Sequence, residues 1–86
     1  MPVVSRFFGI IITIHHNEHA PPHFHATYGD QGASIAIRDF RLIAGHLHPR
    51  ALAFVVEWAA LHQGELLVNW ELAVSGRLPL PIAPLD

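Results

Sequence analysis

The sequence predicts an α+β domain. A three-stranded antiparallel meander over residues 7–38 is packed on one face by two C-terminal helices within 49–75, and an extended proline-rich tail follows over 77–86. Three observations lead there. Residues 7–15 are rich in Ile and aromatic side chains that alternate as a strand requires. Gly29-Asp30-Gln31-Gly32 separates two short runs that read as a hairpin. A helical apolar period begins at Pro49. Eighty-six residues suffice for one modest core, so 1–86 reads as a single domain.

In the first strand, alternation places Ile10, Ile12 and Ile14 on one side and Ile11, Thr13 and His15 on the other. Pro21 and Pro22 then stiffen a loop by fixing their own φ. If the Gly-bounded turn closes symmetrically over four residues, Tyr28 faces Ala33, Ala26 faces Ile35 and Phe24 faces Ile37 on an apolar side. The opposite side then pairs Thr27 with Ser34, His25 with Ala36 and His23 with Arg38. Continued through the Pro-Pro loop, the same logic pairs Ile12 with Ala26 and Ile14 with Phe24. His15 then lies near His23, and Thr13 near His25. Residues 39–48 read as a connector that holds Arg41 near Arg38 and exposes His46 and His48.

Proline suits the first turn of a helix, here running from Pro49 to about Leu61. It carries two apolar stripes, one of Leu52, Val55, Val56 and Ala59 and the other of Phe54, Trp58 and Leu61. A second helix, from about Gly64 to Ser75, packs Leu66, Leu67, Trp70, Ala73 and Val74, with Gly76 as its cap. His62 and Glu65 stand at the spacing of a capping box. In the tail, Leu80, Ile82 and Leu85 are the expected anchors.

Composition limits the function. The chain has no cysteine, so disulfides and thiolate metal sites are excluded. Formal net charge is −2 and every basic residue is Arg, which argues against broad adhesion to nucleic acid but leaves room for a local phosphate contact. With 14% charged residues against 51% hydrophobic ones, much of the surface must be apolar, which suggests a partner or a homo-oligomer. No segment reads as a membrane span. Residues 1–8 lack the apolar core and small-residue cleavage site of a signal peptide, so the expected location is the cytoplasm.

Five of the eight histidines fall between His15 and His25, beside two prolines. A His-x-His pair on a strand puts both imidazoles on one face, which suits two ligands to one metal or a cooperating acid and base. In the metal reading, His19, His23 and His25 bind a divalent transition metal such as zinc, nickel or iron, with Glu18 or His16 as a further ligand or orienter. In the metal-free reading the catalytic set is His19, His23, His25 and Arg38. There His23 and His25 share proton transfer while Arg38 holds an anionic group, as cleavage of an RNA phosphodiester would need. Both stand against a simpler alternative, half-buried sheet histidines satisfied by their neighbours. For Trp58 and Trp70, packing is the expectation.

Met1-Pro2, Asn17-Glu18-His19-x-Pro-Pro-His23-x-His25, Trp58-x-x-x-His62-x-x-Glu65-Leu66 and Asn69-Trp70-Glu71 together resemble a family of small bacterial domains of unknown function that includes the DhiT-like toxins. The resemblance spans nearly the whole chain. It implies the toxin of a type II toxin–antitoxin pair, neutralised by a small cognate antitoxin-like protein. By position, the family's signature histidines fall on His19, His23 and His25, with Asn17 and Glu18 alongside. The alternative is a non-catalytic metal-binding or protein-interaction module.

Overall fold

The computed structural model describes residues 2–16 and 19–86. Its sheet has five antiparallel strands in chain order: β1 (Val3–Phe7), β2 (Ile10–Thr13), β3 (His23–Tyr28), β4 (Gln31–Ala36) and β5 (Leu42–His46). Helices α1 (Pro49–Leu61) and α2 (Gln63–Val74) follow. The α+β class and both helices match expectation, but the meander has five strands and not three.

Both additional strands have local causes. The run 7–15 is not one strand, because Phe8 and Gly9 adopt φ of 52° and 79° and turn the chain between β1 and β2. Two consecutive positive φ values make a type I′ turn, whose twist matches that of the flanking strands. Phe is a poor residue for such a turn, and this hid the hairpin. In the presumed connector, Gly45 at φ 83° lets β5 lie against β4. A Cβ there would stand 2.2 Å from the Gly32 carbonyl oxygen, so a side chain is excluded.

The β3–β4 register also differs from expectation. Gly29 and Asp30 alone make the turn, Gly29 at φ 61°, so Tyr28 pairs with Gln31, Ala26 with Ala33, Phe24 with Ile35 and His25 with Ser34. The partner strand is displaced by two residues from the symmetric four-residue turn. Two residues is one full pleat, so every side chain keeps its predicted face. The β2–β3 pairing agrees with expectation: Ile12 opposes Ala26 and Thr13 opposes His25.

Ile10, Ile12, Ile14, Phe24, Ala26, Ile35 and Ile37 form one buried cluster with Ala51, Val55, Trp58 and Ala59 of α1 and Leu66, Trp70 and Ala73 of α2. The two stripes expected on α1 merge into one inward face; Leu61 points outward, 68% exposed. Trp58 lies 5.4 Å from Phe7 and 5.9 Å from Phe24 between ring centroids, closing the core. On α2, Val74 is exposed, while Asn69 is buried.

His62 ends α1 and precedes α2, where the helices bend by 87°. Its Nδ1 lies 2.6 Å from Glu65 Oε1, a side-chain pair in place of the reciprocal backbone bonds of a capping box. The tail is extended, as expected. Asn69 clamps it by donating to the Leu80 carbonyl at 2.8 Å and accepting from the Leu80 amide at 2.7 Å. The Ile82 amide donates to the Val4 carbonyl and Trp58 Nε1 to the Ala83 carbonyl. Ile82 is buried and Leu85 half-buried, while Leu80 stays exposed. Among the described residues no single helix is long and apolar enough to cross a bilayer.

Candidate functional site

The sheet face opposite the core carries Ile11 and Thr13 from β2, His23, His25 and Thr27 from β3, and Ser34 from β4. Each takes its place by the period-2 alternation of strands whose other face is buried. His15, just past β2, joins them.

Three imidazoles meet there. The His15 and His25 rings are stacked, 4.2 Å between centroids and 26° from parallel. His23 meets His25 edge-on at 5.2 Å. All three are half-buried. Thr13, itself buried, places Oγ1 3.2 Å from His15 Nε2, and Ser34 Oγ lies 3.2 Å from His25 Nδ1. His23 Nδ1 lies 2.9 Å from the Pro21 carbonyl oxygen. A carbonyl only accepts, so His23 carries its proton on Nδ1 in this bond. The Trp70 ring packs 5.1 Å from His23, tying α2 to the site. Beside His25 a groove of about 240 Å³ runs over Thr27, Gly32, Ser34 and Ala44.

Of the expected site residues, His23 and His25 come together. His19 is exposed in the loop, and Glu18 lies outside the described residues. Arg38 is a correction: His23 opposes Ala36, not Arg38. The shortened turn moves Arg38 past the end of β4 into the 37–41 turn, which is closed by hydrogen bonds between Ala36 and Arg41 and between Phe40 and Ala36. There Arg38 is exposed, and Gln63 of α2 donates to its carbonyl at 3.0 Å.

Sequence reasoning also missed contributors. It put His15 on this face, nearest His23 and outside the reacting set; in the structure His15 stacks on His25. Ser34 and Thr13 support the rings, and alternation had already put both hydroxyls on this side. Trp70 carried no such signal, because its contact with His23 joins residues 47 positions apart.

Among the described residues, no group of three His, Asp or Glu side chains is arranged to hold a metal ion. Stacked rings direct their nitrogen lone pairs past one another, whereas a metal needs donors converging at about 2.0–2.1 Å. The same stacking suits proton exchange with a substrate lying across the rings.

A family profile described as a domain of unknown function, DUF4160, matches residues 9–71. No curated protein and no solved structure matches the chain.

Proposed function

The chain belongs to the DUF4160 family of domains of unknown function, and we propose that this member is the toxin-like component of a type II toxin–antitoxin pair that cleaves RNA through its open-face histidines. The observation that carries the reading is the stacked His15–His25 pair with His23 against its edge, half-exposed beside a groove. Two imidazoles in contact can supply one base and one acid, the pair that transesterification of RNA requires.

In this mechanism His25, oriented by Ser34, takes the proton of a ribose 2′-hydroxyl lying in the groove. The 2′-oxygen attacks phosphorus and the bond to the 5′-oxygen breaks. His23, held by the Pro21 carbonyl, donates a proton to the departing oxygen. The products are a 2′,3′-cyclic phosphate and a 5′-hydroxyl, and no oxidant or co-reactant is consumed. His15 holds the His25 ring in place by stacking.

Surface chemistry supports a protein partner as well. The sheet ends at β5, whose five residues are all exposed and carry no Asp, Glu, Lys or Arg. Edge strands are usually guarded by charge or proline, so an unguarded one suits cover by a small antitoxin-like protein.

The test is cleavage of single-stranded RNA by purified protein, with a 2′-deoxy substitution at the cut site as control. Cyclic-phosphate ends are expected from the ribose substrate and none from the deoxy one. His25→Ala lowers the rate by roughly 10²–10⁴-fold, the usual worth of a positioned acid or base. Growth arrest that persists in a folded His15→Ala/His25→Ala protein would refute the assignment.

A further inference from the structure

At the end of the sheet remote from the prolines, the β1–β2 turn, the end of β3 and the start of α1 enclose a second cavity, of about 140 Å³. Ile10 and Ala51 form its floor and Phe8, Tyr28 and Phe54 its walls, while His48 and Arg50 stand at its rim. We propose that this cavity is a nucleobase subsite of the RNA-binding surface, a proposal that rests on the RNA reading above.

Phe8 is the first reason. It occupies a left-handed turn position, φ 52°, where Asn, Asp or Gly would serve the hairpin better and a bulky residue is strained. Its ring leans on Phe54, 5.0 Å between centroids, yet remains 51% exposed. Turn formation does not account for a large, half-exposed ring held at a costly backbone angle; strain of this kind collects where a ligand is gripped. Tyr28, 40% exposed, forms the adjacent wall, and its ring lies over Gly9, where an added Cβ would meet Tyr28 Cε1 at 3.4 Å.

Size and charge narrow the ligand. An engineered cavity of about 150 Å³ holds one benzene ring, so this one admits a single flat ring. The Arg50 guanidinium lies 5.8 Å from the centroid of Phe54, and the Arg50 amide donates to His48 Nδ1, which fixes a cation and an imidazole at the entrance. No Asp or Glu lines the cavity. Aromatic walls with a cation at the rim suit a base bearing a phosphate better than an uncharged aromatic side chain.

Position links the cavity to the histidines. Tyr28 is three residues along β3 from His25, about 10 Å at strand rise, and the odd spacing puts its side chain on the helix-covered face, at the end of the sheet where the β1–β2 and β3–β4 turns lie. Arg6, exposed on β1 opposite Ile11, lies on the open face with the histidines. An RNA strand cut at His25 therefore reaches Phe8 and Tyr28 by passing around this end of the sheet, so the base that enters the cavity lies beyond the one next to the cut.

The experiment is an NMR titration of the His25→Ala protein with the dinucleotide uridylyl-adenosine, and separately with uridine, inorganic phosphate and an uncharged tryptophan amide. The amides of Phe8, Gly9, Tyr28 and Arg50 are expected to shift with the dinucleotide. Phe8→Asn weakens that binding roughly five- to hundredfold while thermal stability holds or rises, because Asn tolerates the turn. A purely structural Phe8 predicts the reverse pattern, with falling stability and unchanged affinity. Tyr28→Leu supplies an independent variant with the same expected loss of affinity, and Arg50→Gln weakens the dinucleotide but not uridine. Unchanged affinity in both ring variants, or tighter binding of the tryptophan amide than of the dinucleotide, overturns the subsite. RNA cleavage by the unaltered protein that Phe8→Asn leaves untouched also overturns the subsite and leaves the catalytic reading standing. Base binding at Phe8 without any RNA cleavage overturns the catalytic reading alone.

Discussion

The two faces of the sheet respond differently to the same displacement. When the β3–β4 turn closes over two residues instead of four, the covered face exchanges one apolar partner for another: Phe24 meets Ile35 in place of Ile37, and both isoleucines remain buried. On the open face the displacement removes Arg38 from His23 and brings Ser34 to His25. Hydrophobic burial is non-directional, so a core tolerates a pleat-sized slip. Hydrogen bonding and acid–base chemistry are directional, so a site does not. A face that holds the fold can be read from parity alone, whereas a face that does chemistry needs the actual neighbours.

Substitutions on the two faces test that contrast. Trp58→Ala, on the covered side, is expected to cost about 3–5 kcal/mol in urea unfolding, because the indole fills the centre of the core and also holds the tail through the Ala83 carbonyl. A cost near zero would mean that the core is not organised around this ring. Next in size is Asn69→Ala, at about 1–3 kcal/mol, since it strips the Leu80 amide and carbonyl of their partner and loosens the tail; amide exchange at Leu80 should rise with it.

On the open side, His25→Ala should lose only about 1 kcal/mol or less of stability, whatever becomes of the proposed RNA cleavage, because its ring is half-exposed and its neighbours are polar. A large stability loss would make His25 a structural residue. Smallest of all is Arg38→Gln, which should leave the proposed RNA cleavage within about twofold, as a solvated side chain past the end of β4 would. A hundredfold loss would return Arg38 to the proposed site.

Legibility followed the range of the interaction. α1 was readable from Pro49 and its apolar period, and the β2–β3 pairing from alternation on both sides of the proline loop. The β1–β2 hairpin was not readable, because its turn relies on Phe8 in a conformation that Phe rarely adopts. Nor was β5, whose Leu-Ile-Ala-Gly-His run lacks alternation and pairs only because Gly45 admits the Gly32 carbonyl. At the candidate site, the His-x-His spacing pointed to His23 and His25. His19, the third histidine of the motif, stands exposed in the loop, and the stacking of His15 on His25 across strands was not legible from the spacing.

By itself the sequence determined the class of the fold, the two helices, the buried face of the sheet and the face on which the histidines gather. Those follow from periodicity, a property of each segment alone. Tertiary structure decided the number of strands, the partner of each histidine, the displacement of Arg38 and the clamp of Asn69 on the tail. Each of these depends on contacts between segments far apart in the chain, where a turn shorter by two residues, or one glycine without a Cβ, selects which side chains meet.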